Sequence, residues 1–269
     1  MKKIVLGVMV ASLTLALGAS TGFAKKAKYN EGAAGAGSIT GTVSLKGEPM
    51  APIMEDLSKG KNVEFCSTHP DAKDGIRPRV KVAAAGGKLQ NAVVFIENIE
   101  TGKPWGDAGK FVFDFEKCDI KQKMGVIRKP TKAEKKSGGV VKVINQDDGI
   151  LHNPHGYSVK GANRKTLFNK PLPSKGDVAD VTKSIARLKQ KKDKHFFLQC
   201  DQHNFMEADA RIVWNPYYAI TGADGSFTID GVPDGKYKVT AWQPYVGEST
   251  AEVTVSGGAA KADFTLTAK

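Results

Sequence analysis

Three side chains that can bind a soft metal ion lie within seven consecutive residues of this chain. Cys200, His203 and Met206 offer a thiolate, an imidazole and a thioether. Sulfur ligands combined with imidazole favour copper, and two histidines, one cysteine and a weak axial methionine form the ligand set of electron-transfer copper sites. The segment therefore predicts a copper site, which needs a second histidine from elsewhere in the chain.

A short segment upstream contains two histidines that could complete this ligand set. His152 and His155 both follow a predicted strand and a turn that ends at Gly149. His195 lies on the predicted strand that leads to Cys200, and we expect it to face solvent rather than the metal. From the residues alone, the choice between His152 and His155 stays open.

The first 24 residues are typical of a secretory signal peptide. Lys2 and Lys3 precede an apolar run from Ile4 to Leu17, and small residues at positions 22 and 24 suit cleavage after Ala24. The apolar run is shorter than the roughly 20 residues that a transmembrane helix needs. No later stretch is apolar enough for a membrane span. We therefore expect a periplasmic or secreted protein after cleavage.

The chain has three cysteines, an odd number for an exported protein. Cys200 has metal-binding neighbours, which leaves Cys66 and Cys118 to pair with each other. An oxidising compartment favours that disulfide. The alternative is that Cys66 and Cys118 are two buried, reduced thiols.

The net charge of the chain is strongly positive. It is +12 for the full sequence and +10 without Lys2 and Lys3, because 38 basic residues then face 28 acidic ones. Lysines concentrate at residues 121–136 and 183–194. These runs form either solvated surface or a docking face for an acidic partner. No aromatic residues are interleaved with them, so nucleic acid is a poor candidate partner.

The sequence contains no recognisable hydrolase motif and too few histidines for a multicopper oxidase. Neither Gly-x-Ser-x-Gly nor His-Glu-x-x-His occurs, and the chain has five histidines in total. A multicopper oxidase needs further histidine pairs. We therefore predict a protein that is not an enzyme.

Short strands separated by Gly, Pro and Asp turns predict an all-β protein. Residues 215–269 carry strands every eight to twelve residues, the spacing of an antiparallel sandwich. These residues are too few for an independent core. We expect residues 38–47 to join them, with residues 48–214 inserted between, and residues 25–37 to form a disordered leader.

The metal-binding residues resemble those of the cupredoxins. Cys200-x₂-His203-x₂-Met206 is similar to the cupredoxin ligand loop with amicyanin-type spacing, and His152-Asn153-x-His155 resembles the segment carrying the first copper histidine. The resemblance implies a Greek-key barrel over residues 48–214, with His152, Cys200, His203 and Met206 as copper ligands. It further implies that backbone amides near Asn153 and Asp201 hydrogen-bond the sulfur. His203 would be the exposed electron exit. Asn204 stands where such loops usually have proline.

The C-terminal segment resembles the carboxypeptidase-regulatory or transthyretin-like β-sandwich modules, a likeness of fold that implies no shared chemistry. Together the two resemblances imply an exported type 1 (blue) copper protein that shuttles single electrons between periplasmic redox partners. An acidic partner such as a c-type cytochrome or a dehydrogenase would suit the basic surface. The alternatives are a periplasmic copper carrier or store, and a β-sandwich scaffold with a vestigial copper loop.

Overall fold

The computed structural model describes residues 28–190 and 192–269. Strands dominate this part of the chain and the helices are short, so the predicted all-β class is confirmed. The predicted signal peptide, residues 1–24, lies outside the described residues. Among the described residues, no helix has the length and apolar character needed to cross a membrane.

Two facing sheets form the first unit, which carries the metal-binding residues. The five-stranded sheet has the order β10-β16-β15-β12-β13, and the three-stranded sheet has the order β14-β11-β9. The strands are β9 Phe111–Phe115, β10 Met124–Arg128, β11 Val141–Asn145, β12 Pro154–Lys160, β13 Asn163–Asn169, β14 Val178–Asp180, β15 His195–Cys200 and β16 Glu207–Val213. In the part of the chain described, these strands form two open sheets and no barrel, so the predicted Greek-key barrel is corrected to two facing sheets.

The core of the first unit lies between its two sheets. Phe113 and Phe115 alternate with more exposed residues on β9 and meet Phe196 and Leu198 of β15. Strand β10 is buried along its whole length because it is covered on both faces: Ile127 belongs to this core, whereas the opposite face packs against the second unit. Alternation therefore holds where one face is solvated and disappears where both are covered.

The second unit contains two further sheets. One has the order β17-β7-β19-β20; the other has the order β18-β2-β6-β5, with β21 and β22 also pairing with β2. The strands are β2 Gly37–Lys46, β5 Ala84–Ala85, β6 Lys88–Leu89, β7 Val93–Ile96, β17 Tyr218–Ile220, β18 Ser226–Val232, β19 Gly235–Gln243, β20 Gly247–Val255, β21 Ala259–Lys261 and β22 Phe264–Thr267. Strand β2 thus pairs with three strands that follow residue 215.

Three strands of the segment 48–214, β5, β6 and β7, lie in the second unit instead of the copper unit that the sequence predicts. Strand β7, within the segment 48–214 expected to form the copper unit, pairs with β17 and β19 and packs in the core of the second unit. Its other face, with Val93 and Phe95, contacts Met124 and Trp242 at the junction between the units. A continuous apolar run predicts burial on both faces but not which neighbours provide it.

The start of the described chain is more structured than its composition suggests. Tyr29 is buried, and its hydroxyl donates to the carbonyl of Lys103 at 2.5 Å. Next to it, β1 (Asn30–Glu31) pairs with β8 (Thr101–Gly102). The expectation of a disordered leader over residues 25–37 is therefore wrong for this stretch, because one large aromatic side chain anchors an otherwise Gly/Ala-rich segment.

A hairpin and three short helices complete the chain. The hairpin β3 Ile53–Asp56 and β4 Ile76–Arg79 encloses a 3₁₀ turn, Leu57–Lys59, and helix α1, Val63–Cys66. Helices α2, Lys132–Ser137, and α3, Thr182–Ile185, contact each other. We call residues 57–69 the cap, because they lie over the metal-binding loop described next.

Candidate metal centre

The pairing of β12 with β15 brings the two metal-binding segments to one edge of the five-stranded sheet. The strands are antiparallel and Pro154 is opposite Cys200. His152, two residues before Pro154, therefore lies beside the end of β15, where the loop to β16 begins. The sequence predicted that each ligand segment is next to a strand, and the register between β12 and β15 brings the two segments close together.

Three donor atoms converge at this edge. Nδ1 of His152 lies 3.6 Å from Sγ of Cys200, and Nδ1 of His203 lies 3.7 Å from the same sulfur. One ligand atom from each residue lies within 4.8 Å of the others, and all three side chains are buried. Ligand–metal bonds near 2.0–2.3 Å around one ion give donor separations of about 3.5–4 Å. The spacing therefore suits a single ion between them.

The loop that carries His203 and Met206 is closed by its own backbone. The amide of Cys200 donates to the carbonyl of Met206 at 3.0 Å, and the amide of Met206 donates to the carbonyl of His203 at 2.9 Å. Met206 is fully buried in the core of the first unit. The short spacing thus folds the thioether residue back beside the cysteine instead of leaving it at the surface.

The sulfur receives one backbone hydrogen bond. The amide of Asn153 lies 3.4 Å from Sγ of Cys200, as expected. The amide of Asp201 instead donates to the carbonyl of Asn153 at 3.0 Å, so the expected second bond to sulfur is wrong. His155 points to Asp201 and Thr166, 3.0 Å from an oxygen of each, and is absent from the donor cluster.

His152 has an acidic partner on the side away from the sulfur. Its Nε2 lies 2.9 Å from Oδ2 of Asp147. The same carboxylate accepts a hydrogen bond from the amide of Lys117 at Oδ1 and one from the amide of Cys118 at Oδ2. Because a carboxylate accepts only, Nε2 carries the proton and Nδ1 presents its lone pair to the cluster. Burial alone would raise the pKa of Asp147, but the bonds from His152 and these amides lower it.

His203 has an amide partner and is covered by the cap. Its Nε2 lies 3.1 Å from Oδ1 of Asn62, and the histidine is 1% exposed. The amide oxygen accepts, so here too Nδ1 is free of a proton. The expectation that His203 is an exposed electron exit is therefore wrong, because the cap lies over it.

The surroundings of Cys200 favour its thiolate. Burial would raise the pKa of this thiol, but its contacts with His152 and His203 and the hydrogen bond from the amide of Asn153 lower it to about 6. Burial likewise would lower the pKa of His152, and its bonds to Asp147 and Cys200 raise it. A thiolate is the form that binds a metal.

The predicted disulfide is present beside this cluster. Cys66 of the cap is bonded to Cys118, with Cα atoms 5.2 Å apart, and Cys200 is the free cysteine among the described residues. The two bonded sulfurs and a ring nitrogen of His203 lie within 4.8 Å of one another. The disulfide therefore belongs to the immediate surroundings of the metal-binding residues.

Sequence reasoning missed Asp147 and Asn62. Asp147 lies five residues before His152 in a segment interpreted only as a turn, and an acidic residue so close to a candidate ligand was the available signal. Asn62 gave no signal, because 141 positions separate it from His203. Only the folded chain brings them together.

Comparisons with known proteins give limited likenesses. Residues 215–262 match the family described as Polysaccharide lyase family 4, domain II, which indicates a β-sandwich there. The likeness to transthyretin-like modules remains a prediction. No curated protein matches the chain.

Several solved copper proteins share weak structural similarity with the chain. A Cu(I) amicyanin mutant has 14% identity and a TM-score of 0.25, covering 39% of this chain and 83% of that one. The copper-containing nitrite reductase (NirK) from Thermus scotoductus SA-01 has 15% identity and a TM-score of 0.26, covering 49% of this chain and 25% of that one. No function is inferred from similarities with TM-scores this low, and the interpretation of the site rests on its own geometry.

Proposed function

We propose that this chain is an exported type 1 copper protein that carries single electrons and is not an enzyme. The observation that carries the proposal is the convergence of two Nδ1 atoms and one sulfur, all from buried side chains, on one point. Two histidines and one cysteine are the in-plane donors of such a site.

The residues fit copper in chemistry as well as spacing. His152, His203 and Cys200 would hold the ion, and the thioether of Met206 would add a weak fourth donor. Bound copper supplies one-electron chemistry between its cuprous and cupric states. Asp147 and Asn62 hold the imidazole protons at Nε2, away from the donor atoms. Packing on two sheets keeps the donors in place, which suits an ion whose charge changes.

The surface supports an acidic partner. Helices α2 and α3 contact each other, and each carries exposed lysines: Lys132, Lys135 and Lys136 on α2 and Lys183 on α3. The two basic runs of the sequence are therefore neighbours in the structure. Such a basic surface would attract an acidic redox protein, for example a c-type cytochrome or a dehydrogenase, and speed their encounter. Export to the periplasm rests on the signal-peptide sequence.

The decisive experiment is to load the purified apo-protein with one equivalent of Cu(II). We expect an intense visible absorption from thiolate-to-copper charge transfer, and its reversible loss on one-electron reduction. His155→Ala is the matched control and should keep the absorption, because His155 faces Asp201 instead of Cys200. Absence of the absorption in the wild-type protein contradicts the proposal, and its retention in His152→Ala contradicts the ligand assignment.

The burial of His203 favours a second candidate, a copper carrier or store. A ligand that is 1% exposed offers no accessible edge for electron exchange, whereas a covered site holds its ion securely. Electron-exchange kinetics with a small soluble redox reagent separate the two candidates. Rapid exchange in both directions supports the electron carrier. Stable binding of Cu(I) with no oxidation to a coloured Cu(II) form supports the store.

A further inference from the structure

The hydrogen-bond partners of the two histidines are attached to the two halves of one disulfide. Asn62 precedes helix α1, and the amide of Cys66 at the end of that helix donates to the carbonyl of Asn62 at 2.9 Å. On the other side, the amide of Cys118 donates to Oδ2 of Asp147 at 2.9 Å. The bond between Cys66 and Cys118 therefore joins the partner of His203 to the partner of His152.

The cap also contacts the metal-binding loop directly. Besides the bond from Asn62 to His203, Nζ of Lys61 donates to Oε1 of Gln202 at 2.7 Å. Leu57 and Cys66 anchor the cap in the core of the first unit. A short segment with a single covalent anchor thus covers the loop from which one histidine ligand projects.

The turn at Cys118 depends on the same network. Lys117 and Cys118 have φ angles of 54° and 52°, a left-handed conformation that costs free energy for residues with a side chain. The carboxylate of Asp147 accepts both of their amides and so stabilises this turn. Because the same carboxylate fixes His152, the turn, the disulfide and the histidine form one connected unit.

We propose that the Cys66–Cys118 disulfide clamps the cap over the metal centre, making Asn62 a positioning residue for His203 and the cap the barrier to entry of ions and reagents. The proposal deepens the proposed function and rests on it for the identity of the ion. Without the oxygen of Asn62, the proton of His203 is free to move to Nδ1, the atom that faces Cys200. Without the disulfide, the cap keeps only hydrogen bonds and apolar contacts.

The backbone at Asn62 permits a clean test. Asn62 has φ 54° and ψ 41°, a left-handed conformation that glycine adopts without strain. Asn62→Gly therefore deletes the side chain without straining the backbone, and Asn62→Asp restores an acceptor at the same position. Asn91, with φ 59° in the second unit, provides the matched control Asn91→Gly.

The experiment measures the rate at which iodoacetamide alkylates Cys200 in the apo-protein. Cys200 is the free thiol of the described chain, and the Cys66→Ser/Cys118→Ser double variant adds no other thiol. We expect alkylation about tenfold faster in Asn62→Gly, the effect of about one lost hydrogen bond, and faster still in the double variant. Asn91→Gly should react at the wild-type rate, and Asn62→Asp should return towards it.

A second readout separates positioning from simple stability. Nitrogen NMR of the apo-protein should show His203 protonated at Nε2 in the wild type and in Asn62→Asp, and a mixture of tautomers in Asn62→Gly. Copper-loaded Asn62→Gly should release its ion to a chelator about tenfold to a hundredfold faster, the usual effect of losing such a partner.

The proposal and the proposed function fail in different ways. The clamp is overturned if folded Asn62→Gly is alkylated at Cys200 at the wild-type rate and its His203 keeps a single tautomer protonated at Nε2. That result would count against the clamp even if copper binds normally. Faster alkylation in a protein that binds no copper would support the clamp and reject the copper function. If the double variant does not fold, the Asn62 series decides the question alone.

Discussion

Two pairs of buried polar side chains, one pair in each unit, form different kinds of hydrogen bond. In the second unit, Asn215 and Gln243 each donate to a backbone carbonyl, of Ile96 and Lys81 respectively. In the first unit, His152 and His203 meet other side chains on both ring nitrogens. The first pattern fixes loops to strands, whereas the second arranges donor atoms around a shared point.

This difference separates a structural polar group from a functional one without reference to any relative. A buried amide bonded to a backbone carbonyl satisfies both groups and needs nothing more. Two imidazoles and a thiol that face one another leave lone pairs directed at the same place, which a metal ion satisfies better than another side chain does. The first unit is therefore where substitution should affect metal binding, and the second where it should affect stability alone.

The largest expected effect comes from removing the sulfur. Cys200→Ser should abolish the visible absorption of the copper-loaded protein and its tight stoichiometric binding, because a hydroxyl does not ionise to replace a thiolate. Thr221→Val is the contrasting change in the second unit. It breaks a buried hydroxyl bond to the carbonyl of Leu89 and should cost about 1–3 kcal/mol of stability with copper binding intact. Equilibrium copper titration and urea unfolding measure the two effects.

A smaller effect is expected from Asp147→Asn. The amide cannot accept from His152 and from the amides of Lys117 and Cys118 as the carboxylate does, so copper affinity should fall about 10–100-fold. Asp201→Asn is the matched control, because Asp201 also bonds a histidine, His155, that lies outside the donor cluster. Competition with a chelator of known affinity gives both values. An equal loss in the two variants would mean that surface charge, not positioning, sets the affinity.

The sequence predicted the chemistry of the site better than its surroundings. Ligand types and spacing are local, so Cys200, His203 and a preceding histidine were identifiable, and an odd cysteine count led to the disulfide that the structure contains. Hydrogen-bond register then placed His152 beside the sulfur. The all-β class followed from turns and alternation, which depend on residues close in sequence.

The surroundings of the metal-binding residues could not be predicted, because they depend on contacts between residues far apart in the chain. Asn62 reaches His203 across 141 positions, and the cap that buries this histidine has little regular structure of its own. A resemblance that rests on the ligand residues does not indicate which other segment lies over them. The expected exposure of His203 was wrong for that reason, as was the Greek-key barrel, because a barrel depends on how strands far apart in the chain pair with one another.

A smaller effect than that of Asp147→Asn is expected in the pH dependence of the apo-protein. The pKa of Cys200, lowered to about 6, means that its thiolate persists well below the usual range of a free thiol. A depressed pKa contributes stability that is complete above the unfolded pKa, near 8.5, and is lost as the pH falls through the folded value. We expect ultraviolet thiolate absorbance of the apo-protein to titrate near pH 6. The stability advantage over Cys200→Ser should shrink over the same range between the two pKa values. A midpoint near that of free cysteine would contradict this.

The smallest expected effect concerns the axial position and uses the two buried methionines of the two environments. Met206→Leu keeps side-chain volume, so stability should change by less than about 1.5 kcal/mol and copper should remain bound. Loss of a thioether donor disfavours Cu(II) more than Cu(I), so the reduction potential should rise. Met124→Leu makes the same change at the junction with the second unit, where Met124 packs against Val93 and Trp242, and should leave the potential unaltered. Voltammetry of the wild-type protein and both variants decides whether Met206 binds the ion. If Met206→Leu has the wild-type potential, Met206 only fills the core and the site has three protein ligands.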